Sequence, residues 1–118
     1  MKTVLIADDD PITVKKLTEG LAPSDYSVLS ARSGKECIAV AAEQNPDVIL
    51  LDVIMPEMDG LEALAELRKS SNVPVVIMSA FGNGDKVEQA RKLGIECFLN
   101  KPFDTEVLVE LLDVILLV

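Results

Sequence analysis

The chain has 118 residues, of which 49% are hydrophobic and 26% charged, with a formal net charge of −9 and no histidine. This length fits one domain with its own core, and we expect a single domain over residues 1–118. The negative charge argues against nucleic acid as a direct ligand, because phosphate backbones are bound by basic surfaces. The absence of histidine excludes histidine-based triads and most zinc sites.

The compartment is indicated by the opening residues, the hydropathy and the cysteines. No apolar run approaches the roughly 20 residues that cross a bilayer, so we expect no membrane insertion. Residues 1–3 lead directly into a strand pattern, which predicts no signal peptide. Cys37 and Cys97 lie far apart in apolar contexts, and we expect free thiols of a cytoplasmic protein.

Apolar strand patterns alternate with helical patterns along the whole chain. Strands are predicted over residues 3–7, 26–31, 48–51, 75–78 and about 96–99. End signals and apolar spacing place five helices. The first runs from Asp10 and Pro11 to Ala22 and Pro23, and the second from a capping box of Ser33 with Glu36 to Asn45 and Pro46. The third is marked by Leu61, Leu64 and Leu67, the fourth runs from Asp85 to Gly94, and the fifth begins at a cap at Asp104. This order predicts an α/β fold, a doubly wound five-stranded parallel sheet with helices on both faces.

The apolar run over residues 48–51 organises the chain. A short unbroken apolar run bounded by turn signals is typical of a strand buried on both faces of a parallel sheet. Asp52 follows this run directly, and Asp59 and Gly60 mark a turn beyond it. Open α/β sheets bind their ligands at the carboxyl ends of the strands, so Asp52 is the first candidate functional residue.

Polar residues also follow the carboxyl ends of three other predicted strands. They are Asp8, Asp9 and Asp10 after the first strand, Ser79 and Ala80 after the fourth, and Lys101 and Pro102 after the fifth. In a doubly wound sheet these ends meet at one edge. We therefore expect several carboxylates, a hydroxyl and an ammonium in one crevice.

This set of groups indicates phosphoryl transfer. Clustered carboxylates repel one another, and a hard cation relieves the repulsion. Oxygen ligands without histidine or cysteine suit Mg²⁺. A metal, a lysine and a hydroxyl around a free carboxylate are the groups this reaction needs, because its catalysis consists mostly of positioning and neutralising charge. Asp52 is then predicted to act as a nucleophile that carries an acyl phosphate.

Each of these residues also has a purely structural explanation. Asp10 before a proline is typical of a helix cap, Ser79 of a strand-end turn, and Lys101 of a solvated surface lysine. Asp8 and Asp9 can both be caps. None of these explanations accounts for polar groups at the same end of four strands, so a shared site is favoured.

Four motifs in order resemble response-regulator receiver domains. They are Asp8 with Asp9 after the first strand, LLDVIMPEMDG over residues 50–60, VVIMSA over 75–80 and NKPF over 100–103. The resemblance covers essentially the whole chain. It implies the flavodoxin-like strand order 2-1-3-4-5 with five helices, and a part in two-component signalling.

The resemblance implies that Asp52 receives a phosphoryl group from a phosphohistidine on a partner histidine kinase or phosphotransfer protein. It also implies a Mg²⁺ ion, replaceable by Mn²⁺, held by Asp8, Asp9, Asp52 and the backbone carbonyl of Ile54. The expected chemistry is self-phosphoryl transfer and slow autodephosphorylation at Asp52 only, so the domain is not expected to be an enzyme.

The resemblance further implies a phosphate-responsive switch. Ser79, Ala80 and Lys101 would contact the phosphoryl group, and a cis bond to Pro102 would hold Lys101 inward. Ser79 would move toward the phosphate while Phe98 turns into the vacated space. That motion would change the face formed by the fourth helix, fifth strand and fifth helix, which would control an output domain or target protein and could pair with a second copy.

Two positions depart from better-known members of the family. Ile54 lies two residues beyond Asp52, and Phe81 lies two residues beyond Ser79; both are apolar. We hypothesise that they obstruct the attacking water and lengthen the life of the phosphorylated state.

The last helix is unusually apolar. Between residues 107 and 118 the only polar residues are Glu110 and Asp113, so its apolar surface is wider than one sheet-facing stripe requires. Three explanations stay open: a partner such as a second copy covers it, the natural chain continues into a linker and output domain, or it packs on the core with a frayed end.

Other functions stay open as well. A receiver-like scaffold could bind partners without phosphorylation, although the complete set of site residues argues against lost chemistry. An aspartyl-nucleophile phosphohydrolase has slight support from the spacing of Asp8 and Asp10, and its nucleophile would be Asp8 rather than Asp52. A flavin carrier is disfavoured, because no glycine-rich phosphate loop follows the first strand.

Overall fold

The structure is a computed structural model of the chain, and it describes residues 1–80 and 84–117. The strands are β1 (Lys2–Ala7), β2 (Tyr26–Ala31), β3 (Val48–Asp52), β4 (Val75–Ala80) and β5 (Cys97–Lys101). The helices are α1 (Pro11–Leu21), α2 (Gly34–Gln44), α3 (Gly60–Arg68), α4 (Gly84–Leu93) and α5 (Thr105–Leu116), with a short 3-10 turn at Ala22–Ser24. Within the described ranges, no helix has the length and apolar character needed to span a membrane.

All five strands form one parallel sheet in the order β2-β1-β3-β4-β5. This confirms the predicted α/β fold, its strand order and its five helices. In the register of the sheet, Ala7 pairs with Leu51, and Asp52 pairs with Met78. The carboxyl ends of β1, β3 and β4 therefore lie side by side.

The last two strands extend further than the apolar runs predict. Strand β4 continues through Ser79 and Ala80, which pair with Asn100 and Lys101 of β5. Strand β5 begins at Cys97 rather than near residue 96 and ends at Lys101 rather than near 99. Backbone pairing requires no apolar side chain, so the ladder continues into residues that the hydropathy pattern had placed beyond it.

Each face of the sheet carries its own hydrophobic cluster. Strand β3 is buried along its whole length, because helices cover both of its faces. The first cluster includes Leu5, Cys37, Ile49, Leu51, Leu64 and Ile77. The second cluster includes Val4, Ile6, Leu50, Met78, Leu108 and Leu112. Both cysteines are free, with Cys37 buried in the first cluster and Cys97 partly buried against the second.

Local capping explains where several helices begin. Asp10 accepts a hydrogen bond from the backbone N–H of Ile12 at 3.1 Å, which caps α1 as predicted. At α2, Ser33 accepts from the N–H of Glu36, but the Glu36 carboxylate accepts from Arg32. The predicted capping box at Ser33 is therefore only half formed.

The starts of α3 and α5 differ from each other. A complete capping box forms at α3, between Asp59 and Glu62. Asp104 occupies the cap position of α5 without a side-chain cap bond, and its backbone carbonyl accepts the first helical hydrogen bonds from Val107 and Leu108.

Helix α5 packs most of its apolar surface into the second cluster. Leu108 and Leu112 are fully buried there, while Val107, Val114 and Leu117 remain exposed. Core packing thus accounts for much of the apolar character of this helix, and an exposed apolar strip remains. Val118 lies outside the described residues.

Candidate functional site

Strands β3, β4 and β5 each place a polar side chain at the carboxyl edge of the sheet, and the segment after β1 places a fourth polar side chain there. Asp8 directly follows β1, Asp52 ends β3, Ser79 lies near the end of β4, and Lys101 ends β5. Asp8 and Ser79 are each 1% exposed and Asp52 is 7% exposed. The structure therefore brings to one edge the residues that the sequence predicts to meet.

Lys101 joins two of the acids directly. Its Nζ donates to Oδ2 of Asp8 at 2.7 Å and to Oδ2 of Asp52 at 3.1 Å. The remaining oxygens accept from backbone amides: Asp8 from Asp10 at 2.9 Å and Asp52 from Ile54 at 3.3 Å. The peptide bond between Lys101 and Pro102 is cis. Both carboxylates are thus fixed in orientation from two sides.

Asp9 completes a three-acid cluster. Asp8, Asp9 and Asp52 each offer one carboxylate oxygen, and these oxygens lie within 4.8 Å of one another. Asp9 is exposed while the other two acids are buried, so the cluster opens to solvent on the side of Asp9. An all-oxygen donor set with one solvent-facing member fits Mg²⁺, which keeps several water ligands.

The electrostatics of the cluster favour an added positive charge. Burial raises the pKa of Asp52 and the charge of Asp8 raises it further, while Lys101 only partly opposes them. Burial disfavours the ammonium of Lys101, but its hydrogen bond to Asp8 and the charge of Asp52 outweigh burial, so the pKa of Lys101 is raised overall. The positive charge of Lys101 therefore compensates the negative charge of ionised Asp52 only in part.

The residues after β3 are held close to the site by a glycine. The N–H of Gly60 donates to the carbonyl of Val53 at 2.8 Å, and a Cβ at this position would collide with the backbone carbonyl oxygen of Asp52. Ile54, two residues beyond Asp52 in sequence, is 52% exposed. Phe81, the second predicted shielding residue, lies outside the described residues.

The predicted switch residues lie on neighbouring strands. Ser79 donates its hydroxyl to the carbonyl of Ala80 at 3.1 Å. Phe98 pairs with Ile77 and packs, partly buried, against the first cluster. The guanidinium carbon of Arg91 lies 4.9 Å from the centroid of the Phe98 ring. Sequence reasoning missed Arg91, because its distance from Phe98 depends on how α4 packs beside β5.

The family comparison agrees with this geometry. A family model described as the response regulator receiver domain matches residues 4–113. The chain therefore belongs to the response-regulator receiver family of two-component signalling, as the motifs predicted. Receiver domains bind Mg²⁺ at an acidic pocket and interact with kinases and output domains.

The chain is similar to both short and longer proteins. Protein PilH of Pseudomonas aeruginosa is 33% identical over 119 residues, covering 98% of both chains. The transcriptional regulatory protein PdtaR of Mycobacterium tuberculosis is 34% identical, and the match covers 95% of this chain but 55% of PdtaR. The receiver domain of the Francisella response regulator 1452 superposes with a TM-score of 0.90 at 31% identity, covering 98% and 97% of the two chains.

Proposed function

We propose that residues 1–118 act in the cytoplasm as one phosphoacceptor domain, in which Asp52 receives a phosphoryl group from a phosphohistidine of a partner histidine kinase or phosphotransfer protein. The observation that carries this proposal is the buried Asp52 carboxylate, oriented by Lys101 and the Ile54 amide beside two further acids. Such a carboxylate is positioned to attack and lies next to a cation that can pair with phosphoryl charge.

The proposed transfer moves one phosphoryl group between two residues. An oxygen of Asp52 forms a bond to phosphorus as the phosphorus–nitrogen bond of the phosphoimidazole breaks. The bonding electrons return to the imidazole nitrogen of the donor, and the product on this chain is an acyl phosphate. Lys101 already contacts Asp52 Oδ2 and pairs with the incoming negative charge.

The acid cluster sets the metal requirement of this proposal. Mg²⁺, or Mn²⁺ in its place, would be held by Asp8, Asp9, Asp52 and the carbonyl of Ile54, and it supplies positive charge for the phosphoryl oxygens. Since Lys101 leaves ionised Asp52 incompletely compensated, transfer requires this second positive charge. Autodephosphorylation at Asp52 is slow, and no other turnover is proposed.

The proposed switch is the one that the family resemblance implies, and it begins from a contact near Asp52. The hydroxyl of Ser79 leaves the carbonyl of Ala80 to bond a phosphoryl oxygen, the Ala80 amide is a further donor, and Phe98 turns inward. The face made of α4, β5 and α5 then changes and controls an output domain or target protein. A second copy of the chain is a candidate partner for the same face, since α5 exposes Val107 and Val114.

The structure bears on the two alternative functions. A phosphohydrolase would use Asp8 as nucleophile, but Asp8 is 1% exposed against 7% for Asp52, and Lys101 holds Asp8 at 2.7 Å against 3.1 Å for Asp52. A scaffold without phosphorylation has no need of three acids whose oxygens lie within 4.8 Å of one another, since their repulsion costs stability. Both observations favour Asp52 as the phosphoacceptor.

The decisive experiment is labelling by a small acyl-phosphate donor with Mg²⁺. Wild type is expected to incorporate phosphate at one residue, mapped to Asp52, and Asp52→Asn is expected to keep its fold and lose labelling. Asp25→Asn is the matched control, since Asp25 is exposed at the opposite edge and its positive φ of 65° suits asparagine. Label on Asp8, or undiminished label in Asp52→Asn, would refute the assignment.

A further inference from the structure

Arg91 stacks on the predicted switch aromatic. It lies in the last turn of α4, one residue after the buried Ala90, and its guanidinium carbon is 4.9 Å from the centroid of the Phe98 ring. A guanidinium within about 6 Å of an aromatic centroid is attracted by the negative face of the ring. The contact joins α4 to β5, two elements of the face that the proposed switch changes.

Arg91 also forms an ion pair with Glu88, which fixes its position less firmly. Glu88 lies one turn earlier on α4, with its carboxylate 3.8 Å from Nε of Arg91. The side chains of Arg91 and Glu88 are 54% and 68% exposed, so solvent screens this pair. The half-buried ring of Phe98 is therefore the contact that fixes Arg91 across elements.

The stacked arrangement coincides with a definite set of contacts at the phosphoacceptor edge. Ser79 pairs with Asn100, two residues beyond Phe98 on β5, and donates its hydroxyl to Ala80 rather than toward Asp52. Lys101, the next residue of β5, is bonded to both Asp8 and Asp52. The Phe98 ring therefore stacks under Arg91 in the same arrangement in which Lys101 is hydrogen-bonded to Asp8 and Asp52.

We infer that Arg91 is a positioning residue for Phe98, which holds the ring in this arrangement and opposes the inward turn that accompanies phosphorylation. This inference rests on the proposed function. When the ring turns inward, its stacking contact with Arg91 is lost. The contact therefore shifts the equilibrium between the two ring positions toward the one found without phosphorylation. At a partly exposed site, loss of such a contact shifts the equilibrium by about two- to fivefold.

The test uses the phosphoryl mimic beryllofluoride with Mg²⁺, titrated into the full chain. Arg91→Gln is expected to bind the mimic about two- to fivefold more tightly than wild type, because the stacking is lost. Arg91→Lys keeps a cation over the ring and is expected to return affinity toward the wild-type value. Lys92→Gln removes the same charge from the neighbouring exposed position and is expected to match wild type.

A double-mutant cycle with Phe98→Leu shows whether Arg91 acts through the ring. In the Phe98→Leu background, Arg91→Gln is expected to change the affinity no further. Nuclear magnetic resonance gives an independent signature, since the ring current shifts the side-chain protons of Arg91 in wild type and not in Phe98→Leu. These variants change exposed or half-buried positions, and their folding is checked by the same spectra.

If Arg91→Gln and Lys92→Gln bind the mimic equally, or if Arg91→Lys behaves like Arg91→Gln, the positioning role is refuted while the proposed function stands. If wild type neither binds the mimic nor accepts label at Asp52, the proposed function is refuted and the inference with it.

Discussion

The ammonium of Lys101 lies closer to Asp8 than to the predicted phosphoacceptor, at 2.7 Å against 3.1 Å for Asp52. Asp8 is fully buried, and Lys101 is the cation that balances it among the described residues. The lysine is therefore a structural counter-ion as well as a candidate partner for phosphoryl charge.

Removing this ammonium should destabilise the fold. Lys101→Met keeps most of the side-chain volume but leaves two buried carboxylates without their shared donor. We expect the free energy of unfolding to fall on the order of 2 kcal/mol in urea titrations. Lys69→Met is the control, since Lys69 pairs with Glu66 on the surface and its loss should cost less than about 1 kcal/mol. Equal losses in the two variants would contradict the structural role of Lys101.

Mg²⁺ should stabilise the domain through the acid cluster. Relief of repulsion predicts about 2.7 kcal/mol of added stability at about 100 times the dissociation constant, seen as a rise in Tm. Asp9→Asn should lose most of this response without loss of folding, because Asp9 is exposed. A Tm that ignores Mg²⁺, or an undiminished response in Asp9→Asn, means that the metal site is misassigned.

The exposed side chain of Ile54 should slow loss of the phosphoryl group. Ile54→Asn replaces an apolar group, 52% exposed, with one that can bond a water near Asp52. We expect severalfold faster release of inorganic phosphate from the phosphorylated domain, with labelling retained. Leu117→Asn is the control, since Leu117 is 91% exposed at the end of α5 and its positive φ of 55° suits asparagine. Identical decay in wild type and Ile54→Asn would end the shielding hypothesis.

Tyr26 should make stability fall in alkaline solution. Its hydroxyl donates to Asp113 at 2.6 Å. Burial is the larger cause and this hydrogen bond the second cause that raise the pKa of Tyr26 above its ordinary value of 10.0. A raised pKa in the folded state contributes stability that is fully present below the unfolded value and is lost as pH rises through the folded value. Unfolding experiments should therefore show a steeper loss above about pH 10 in wild type than in Tyr26→Phe.

The same tyrosine can be titrated directly. It is the one tyrosine of a chain without tryptophan, so near-ultraviolet absorbance of tyrosinate reports Tyr26 alone. Native protein that ionises at the ordinary tyrosine pKa would show that the bond to Asp113 does not persist in solution.

Gly60 should tolerate no side chain. A methyl group there meets the backbone of Asp52 and Val53, so Gly60→Ala should cost about 1–3 kcal/mol and lower labelling at Asp52. Gly84→Ala is the matched control at another helix start, since a Cβ there meets no atom within 4 Å among the described residues. A Gly60→Ala variant as stable as Gly84→Ala would contradict the close approach.

The sequence predicted strands and helices best where turn-forming or capping residues mark their ends. Strand β2 matches residues 26–31 because turn-forming residues flank it, and α1 begins at the predicted Asp10 cap. The ends of β4 and β5 were missed because polar residues continue the ladder there. The half-formed box at Ser33 and the complete one at Asp59 share a spacing, but Glu36 bonds the amide of Arg32 whereas Glu62 bonds the amide of Asp59.

The candidate site was predictable as a set but not as a network. Acids and a lysine at strand ends follow from chain order, because parallel strands share a direction. The preference of Lys101 for Asp8, and the stacking of Arg91 on Phe98, depend on side-chain positions across three elements. No local pattern in the sequence encodes such distances.

The two cysteines give the domain a chemical reporter on either side of its sheet. Cys37 lies on the buried side of α2, where burial raises the pKa of its thiol to about 12, whereas Cys97 on β5 is only partly covered. A thiol reagent should therefore modify Cys97 first and reach Cys37 only when α2 lifts away. The rates of the two modifications would report the opening of each layer separately, with no residue substituted.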